Sequence, residues 1–284
     1  MYPQVDTKDP VAVENEVQAA YGAMFPQGNH SFVSTALGWV KDCFCGRYKD
    51  YQASDARYHD LEHTLQGTLC MARLLHGRQQ ANAKPVVTQR MFELGLLAIL
   101  LHDTGYLKKR DDAGGTGAKY TLTHVARSVQ FAEQLLEEKG ISITEIRTVQ
   151  HMIRCTGVNV DLGRVPFQTE LEKVVGFALG TSDLLGQMAA EDYVEKLPIL
   201  YSEFEESARF YEGKMVGVSS FSSADDLVRK TPEFWTRYVV PKLNNDFWGI
   251  HRYLNKPYPN GPNDYVQRVE ANIDKLRRQL AAVA

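Results

Sequence analysis

The segment that most constrains this chain is "LGLLAILLHDTGY", Leu94 to Tyr106. From Leu94 to Leu101 no side chain is polar. Together with the preceding residues it predicts a helix over 89–101 that is apolar on every face, and such a helix belongs at the centre of a bundle. The run is too short for the ~20 residues of a membrane span. Yet it ends on His102 and Asp103, which a core excludes unless they are partnered. Taken alone, a polar pair followed by Gly105 reads equally well as a helix stop.

Most of the remaining chain repeats apolar residues at three- and four-residue spacing, and alternating strand-like runs are scarce. Helices are expected over 61–76, 123–139, 143–154, 170–190, 192–211, 224–254 and 264–282, with one or two more over 11–50, broken near Pro26-Gln27-Gly28-Asn29. Thr144 is placed to cap the helix over 143–154. Pro232 and Pro241 must bend or interrupt the one over 224–254. "DDAGGTGAK", residues 111–119, has neither the glycine spacing nor the preceding strand of a phosphate-binding loop. It reads as a surface loop, with a lid as the alternative. No internal repeat or linker interrupts the pattern. The expectation is a single all-α domain, 1–284, with a functional core over about 55–215 and flanking helices at 11–50 and 224–282.

A net charge of -3 and a hydrophobic share of 44% describe an ordinary globular chain, without the basic excess of a nucleic-acid or membrane-surface binder. Cys43, Cys45, Cys70 and Cys155 form no disulfide framework for a chain of 284 residues, and Cys43-x-Cys45 reads as packing. The N-terminal residues lack a basic region followed by an apolar one. A soluble cytoplasmic protein is expected.

Several polar residues interrupt these apolar segments. His59 and His63, in "YHDLEHT", are four apart and share a helical face. His102-Asp103 ends the central helix, His124 opens the next in "LTHVAR", His151 lies in "VQHMIR", and Asp183 lies in "FALGTSDLLGQM". Each has an ordinary reading: a helix-face histidine bonded to Asp60 or Glu62, a helix stop, a carboxylate neutralised by a cation. Together His63, His102, Asp103, His124, His151 and Asp183 supply four imidazoles and two carboxylates, ligands suited to Mn, Fe, Zn or Mg. If Asp103 bridges, the set suffices for two divalent cations.

The ordered pattern His63, His102-Asp103, Asp183 resembles the HD-domain superfamily of metal-dependent phosphohydrolases, whose fold is a helical bundle of the phosphodiesterase type. His124 and His151 resemble the additional ligands of its dinuclear subset. "YHDLEH", Tyr58 to His63, is similar to the YHNxxH motif of class I cyclic-nucleotide phosphodiesterases, with Asp60 where that family has asparagine. That resemblance implies that His59 is a proton donor and His63 a metal ligand, and it makes Gln187 a candidate for the family's purine-binding glutamine. The histidine spacing also resembles HD-GYP cyclic-dinucleotide phosphodiesterases. The GYP motif is missing, however, and Tyr106 stands where a lysine follows the HD-x-G turn.

The resemblance implies hydrolysis of a small-molecule phosphoester, with Asp103 at the metals and His59 protonating the leaving oxygen. Lys108, Lys109, Arg127 and Arg154 are candidates to hold phosphate. They are equally readable as surface charges, with Arg127 and Arg154 pairing to acids such as Glu133. The same ligand pattern also serves mixed-valent iron oxygenases, and a metal-holding regulatory module without turnover is a third reading. The C-terminal helices leave room for a homo-oligomer.

Overall fold

The computed structural model describes residues 2–157, 160–211 and 221–283. The architecture is all-α: α1 (Pro10–Met24), α2 (Phe32–Phe44), α3 (Leu61–Gln80), α4 (Gln89–Leu101), α5 (His124–Glu138), α6 (Ile143–Ile153), α7 (Glu170–Met188), α8 (Tyr193–Phe210), α9 (Ala224–Phe234) and α10 (Asp264–Val283). The described residues form isolated bridges, such as Tyr51 with Lys109, and no strand. None of their helices is long and apolar enough to cross a membrane.

The helix starts follow from local chemistry. Asp60, Thr88, Thr169 and Ser223 each turn a side-chain oxygen back onto an amide of the first turn, satisfying donors that have no partner within the helix. The expected cap of α6 is corrected: Ser142, not Thr144, holds that position. Ser142 accepts from the Glu145 amide while the Glu145 carboxylate reaches back to Ser142, and a reciprocal pair satisfies two donors where Thr144 would satisfy one.

Helix α4 is central, as its composition requires: every residue from Phe92 to Leu101 is buried. Glu93 is tolerated there because its carboxylate accepts from the Tyr21 hydroxyl at 2.7 Å and from Arg90 at 2.9 Å. Helices α3 and α7 form the most extensive pairing and flank α4, while α5 and α6 close another side. The terminal helices are not appendages. Helix α1 lies on α3 and α10 lies on α7, and one apolar cluster runs from Tyr2 to Leu276.

The α3–α7 crossing is unusually close at Gly186. A Cβ added there would sit 2.8 Å from the backbone of Gln66 and Gly67. His63 is one turn before Gly67, and Asp183 is about one turn before Gly186, so the contact brings the two polar side chains together.

The expected helix over 224–254 is divided. Pro232 is accommodated within α9, and π-helical turns follow at Trp235–Val239 and Lys242–Asp246, then a 3₁₀ segment at Ile250–Leu254. Pro241 has no N–H to continue an α-helical ladder, and wider turns accommodate the break.

Candidate metal centre

Each polar residue is delivered by a specific local feature. The Asp60 side chain accepts from the His63 amide at 2.9 Å and fixes the first turn of α3. His102 caps the end of α4, and Asp103 leads into a short 3₁₀ turn, Thr104–Tyr106. The Gly105 amide donates to Ser128 Oγ at 2.8 Å, and a Cβ at Gly105 would fall 2.0 Å from the His124 carbonyl oxygen. Only glycine permits that approach, which seats the turn on the start of α5 and places His124 beside Asp103.

The resulting cluster is compact. His63 Nε2 lies 3.1 Å from Asp103 Oδ2 and 3.2 Å from Asp183 Oδ1. His102 Nε2 lies 3.3 and 3.4 Å from the same two oxygens. Ligand atoms ~2.1 Å from a shared cation stand ~3.0 Å apart at right angles and ~3.4 Å apart at the tetrahedral angle. Each of the four nitrogen–oxygen distances is that of neighbours in one coordination shell, and the donor atoms of His63, His102 and Asp103 all lie within 4.8 Å of one another. His102 Nε2 and Asp103 Oδ2 are buried and have no hydrogen-bond partner despite these short distances. Such groups are costly to bury unless something else satisfies them, and a cation between them would.

The other ring nitrogens point to the same chemistry. His102 Nδ1 donates to the Ile99 carbonyl at 2.7 Å and His124 Nδ1 to the Thr121 carbonyl at 2.6 Å. A carbonyl only accepts, so in each ring Nδ1 carries a proton, and the neutral form presents its lone pair on Nε2. His59 Nδ1 is 2.6 Å from Glu203 Oε2, and His151 Nδ1 is 2.6 Å from Glu172 Oε1. Both glutamates are buried and lie far from their histidines in sequence. Nothing in the local pattern marks them, and His59 does not use Asp60 or Glu62 as a helix-face reading would have it.

Asp103 is shared between two sides. Its Oδ2 faces His63 and His102, whereas Oδ1 lies 3.8 Å from His124 Nε2. The structure thus brings together His63, His102, Asp103 and Asp183, with His124 at the margin. His151 stands apart: its ring is held by Glu172 and packs near Phe167, and no ion pair or ring contact joins it to the cluster among the described residues.

Electrostatics tie the cluster together. Burial opposes charge on His63, but the adjacent Asp103 and Asp183 carboxylates outweigh it and push the imidazole up to about 10. The same balance raises His102. Asp103 and Asp183, although buried, are held below the usual carboxylate range by these imidazoles. Burial lowers His124 below the usual imidazole range. A carboxylate pair that draws positive charge this strongly is equally suited to a metal ion.

The expected phosphate-holding residues are mostly engaged elsewhere. Lys108 is buried between Asp55 and the Gly115 carbonyl, and Lys109 pairs with Asp50 at 3.2 Å over the Tyr51 ring. Arg127 donates to the Gly105 and Leu107 carbonyls at 2.6 and 2.9 Å and stacks on Tyr120. It braces the turn after His102-Asp103 and does not pair with Glu133. Arg154 is exposed. Gln187 reaches the site: it accepts from the Tyr58 hydroxyl at 2.9 Å and donates to the Asp183 carbonyl at 3.1 Å. The 111–119 loop is fastened by Lys119 to Asp112 and by Thr116 to Glu206. A cavity of about 620 Å³ lies between that loop and α5, lined by Tyr51, Tyr120, Arg127 and Phe131, and none of the clustered donors lines it.

No curated protein matches the chain. Residues 11–256 match the profile of a described family over most of the chain, from α1 through the 3₁₀ segment that follows α9. That match spans every donor of the cluster, and the chain accordingly belongs to the Npun_R2479-like family.

Proposed function

We propose that this protein is a metal-dependent phosphohydrolase of the phosphodiesterase type, acting on a phosphoester of a nucleotide or related small molecule. One observation carries the reading: His63 and His102 each hold Nε2 3.1–3.4 Å from one carboxylate oxygen of Asp103 and one of Asp183 in a buried site. Their order along the chain is the one that resembles HD-domain phosphohydrolases. Asp103 Oδ1, turned toward His124, supports a second divalent cation, whereas the position of His151 adds nothing to that part of the proposal.

Divalent cations held here would neutralise phosphoryl charge and lower the pKa of bound water. The chain's own residues supply the rest. His59 precedes the Asp60 cap and so stands outside α3, not on a helical face shared with His63, yet the two ring centroids are 5.4 Å apart. Because Glu203 holds its Nδ1, His59 presents Nε2 toward the site. His59 Nε2 is therefore the group placed to carry a proton to the leaving oxygen. Burial of the four donors keeps bulk water from competing for them.

The test is turnover of bis-p-nitrophenyl phosphate by purified protein supplied with Mn(II), alongside elemental analysis. Metal-dependent hydrolysis is expected, with a loss of about 100-fold or more in both His102→Ala and Asp103→Ala. Hydrolysis surviving in both variants would refute the assigned site. Oxygen consumption with an iron-loaded protein, without phosphoester turnover, would replace hydrolysis with oxygenation.

A further inference from the structure

Tyr106 is neither a donor of the cluster nor part of the reaction outlined above, yet it touches both. It is 1% exposed, and its hydroxyl has no hydrogen-bond partner. Its backbone amide donates to the Asp103 carbonyl at 3.1 Å, so the ring is fixed relative to the metal-bearing turn. His59 stacks on it with centroids 4.4 Å apart and planes 9° apart. His124 stacks on it at 4.8 Å and 22°.

The third side of this triangle settles the arrangement, since the His59 and His124 centroids are 6.2 Å apart. Rings in van der Waals contact lie about 3.5 Å above the plane they cover, so imidazoles on opposite faces of Tyr106 would stand ~7 Å or more apart. Both imidazoles therefore lie side by side on one face. Each is also pinned at Nδ1, His59 by Glu203 and His124 by the Thr121 carbonyl. With the Cβ–Cγ bond, those hydrogen bonds hold each ring at two points and leave it a tilt about the line between them. A flat surface beneath both rings removes it.

We infer that Tyr106 is a positioning residue whose ring is the platform that sets His59 and His124 side by side. It thereby aligns the proton-carrying imidazole with the metal site. The placement stands on the three rings alone, and its catalytic consequence rests on the phosphohydrolase reading. What acts is the aromatic face, because the hydroxyl is unpartnered. A residue that merely filled space could be replaced by leucine, and a platform could not.

The experiment compares wild type, Tyr106→Phe and Tyr106→Leu in the full chain loaded with Zn(II), which leaves imidazole resonances observable. In wild type the ring carbon-bound protons of His59 should resonate upfield of those of the exposed His30, because they sit over an aromatic face. Tyr106→Phe should keep the His59 and His124 resonances in place, and Tyr106→Leu should move both downfield. With Mn(II) and bis-p-nitrophenyl phosphate, Tyr106→Leu should lower kcat about tenfold or more at unchanged metal content, and Tyr106→Phe should retain wild-type kcat. The inference is overturned if wild-type His59 shows no upfield displacement, if leucine leaves both resonances where they were, or if phenylalanine is as impaired as leucine. The first of these needs no variant to fold. A wild type without phosphoesterase activity would remove the catalytic reading, while the resonances would still decide the platform.

Discussion

Glu203 is buried and divides its two oxygens within one short segment. Oε1 accepts from the Arg57 and Tyr58 amides, each at 2.7 Å, and Oε2 holds His59 Nδ1 at 2.6 Å. Burial works against its ionisation, but the His59 ring and these hydrogen bonds hold it below the usual carboxylate range. Glu203→Gln keeps the shape and removes the carboxylate that orients His59 through Nδ1. The expected outcome is a fall in kcat of about 10- to 100-fold with metal content unchanged, read by steady-state kinetics and elemental analysis. Unchanged kcat would remove His59 as the proton carrier. The residues that could ligate metal were legible in the sequence because imidazoles and carboxylates stand out in apolar segments. Glu203 and Glu172 were not, since the chain has 35 acidic residues and these two meet their histidines only through the tertiary fold. Lys108 and Arg127 show the converse. Cationic type and position suggested a phosphate, and only the folded chain reveals that Asp55 and backbone carbonyls already engage them.

Helices α3 and α7 carry His63 and Asp183, and Gly186 sets how closely they approach. A methyl group at 186 would fall 2.8 Å from the Gln66 carbonyl and the Gly67 amide, atoms that cannot turn aside as a side chain can. Gly186→Ala should therefore separate the helices locally. A cost of about 1–3 kcal/mol is expected in denaturant unfolding. Because His63 and Asp183 sit on the displaced turns, affinity for Zn(II) should fall as well, measured by competition with a chromophoric chelator. Loss of stability with metal affinity intact would show that the crossing does not position the donors. Sequence periodicity read α4 to its observed bounds because an uninterrupted apolar run has no competing pattern. It overextended the helix after residue 224, where α9 holds Pro232 but the stretch around Pro241 passes into π-turns and then a 3₁₀ segment. Apolar spacing alone does not encode how many residues each turn takes up.

Across the whole molecule, the first and last described helices are joined through a cation near the middle of α3. Arg73 is 3% exposed. It donates to the Pro3 carbonyl at 2.6 Å, to Glu16 of α1 at 3.1 Å and to the Tyr265 hydroxyl of α10 at 3.3 Å, and it stacks over Tyr2. Tyr2 in turn donates its amide to Asp264 at the start of α10. This network and the shared apolar cluster couple α1 and α10 to the α3–α7 pair that carries His63 and Asp183. Unfolding should therefore be a single transition, with far-ultraviolet dichroism and tryptophan fluorescence coincident. Arg73→Ala leaves Pro3 and Tyr265 without their donor and Glu16 without its counter-charge. Glu16 is partly solvated, so the cost should be about 2–4 kcal/mol, below that of a fully buried broken pair. The midpoint for both probes should shift together, with no plateau between them. A wild-type melt in which the probes separate would mean that the terminal helices fold as their own unit. Unchanged stability in Arg73→Ala would mean that the apolar contacts alone hold the two ends.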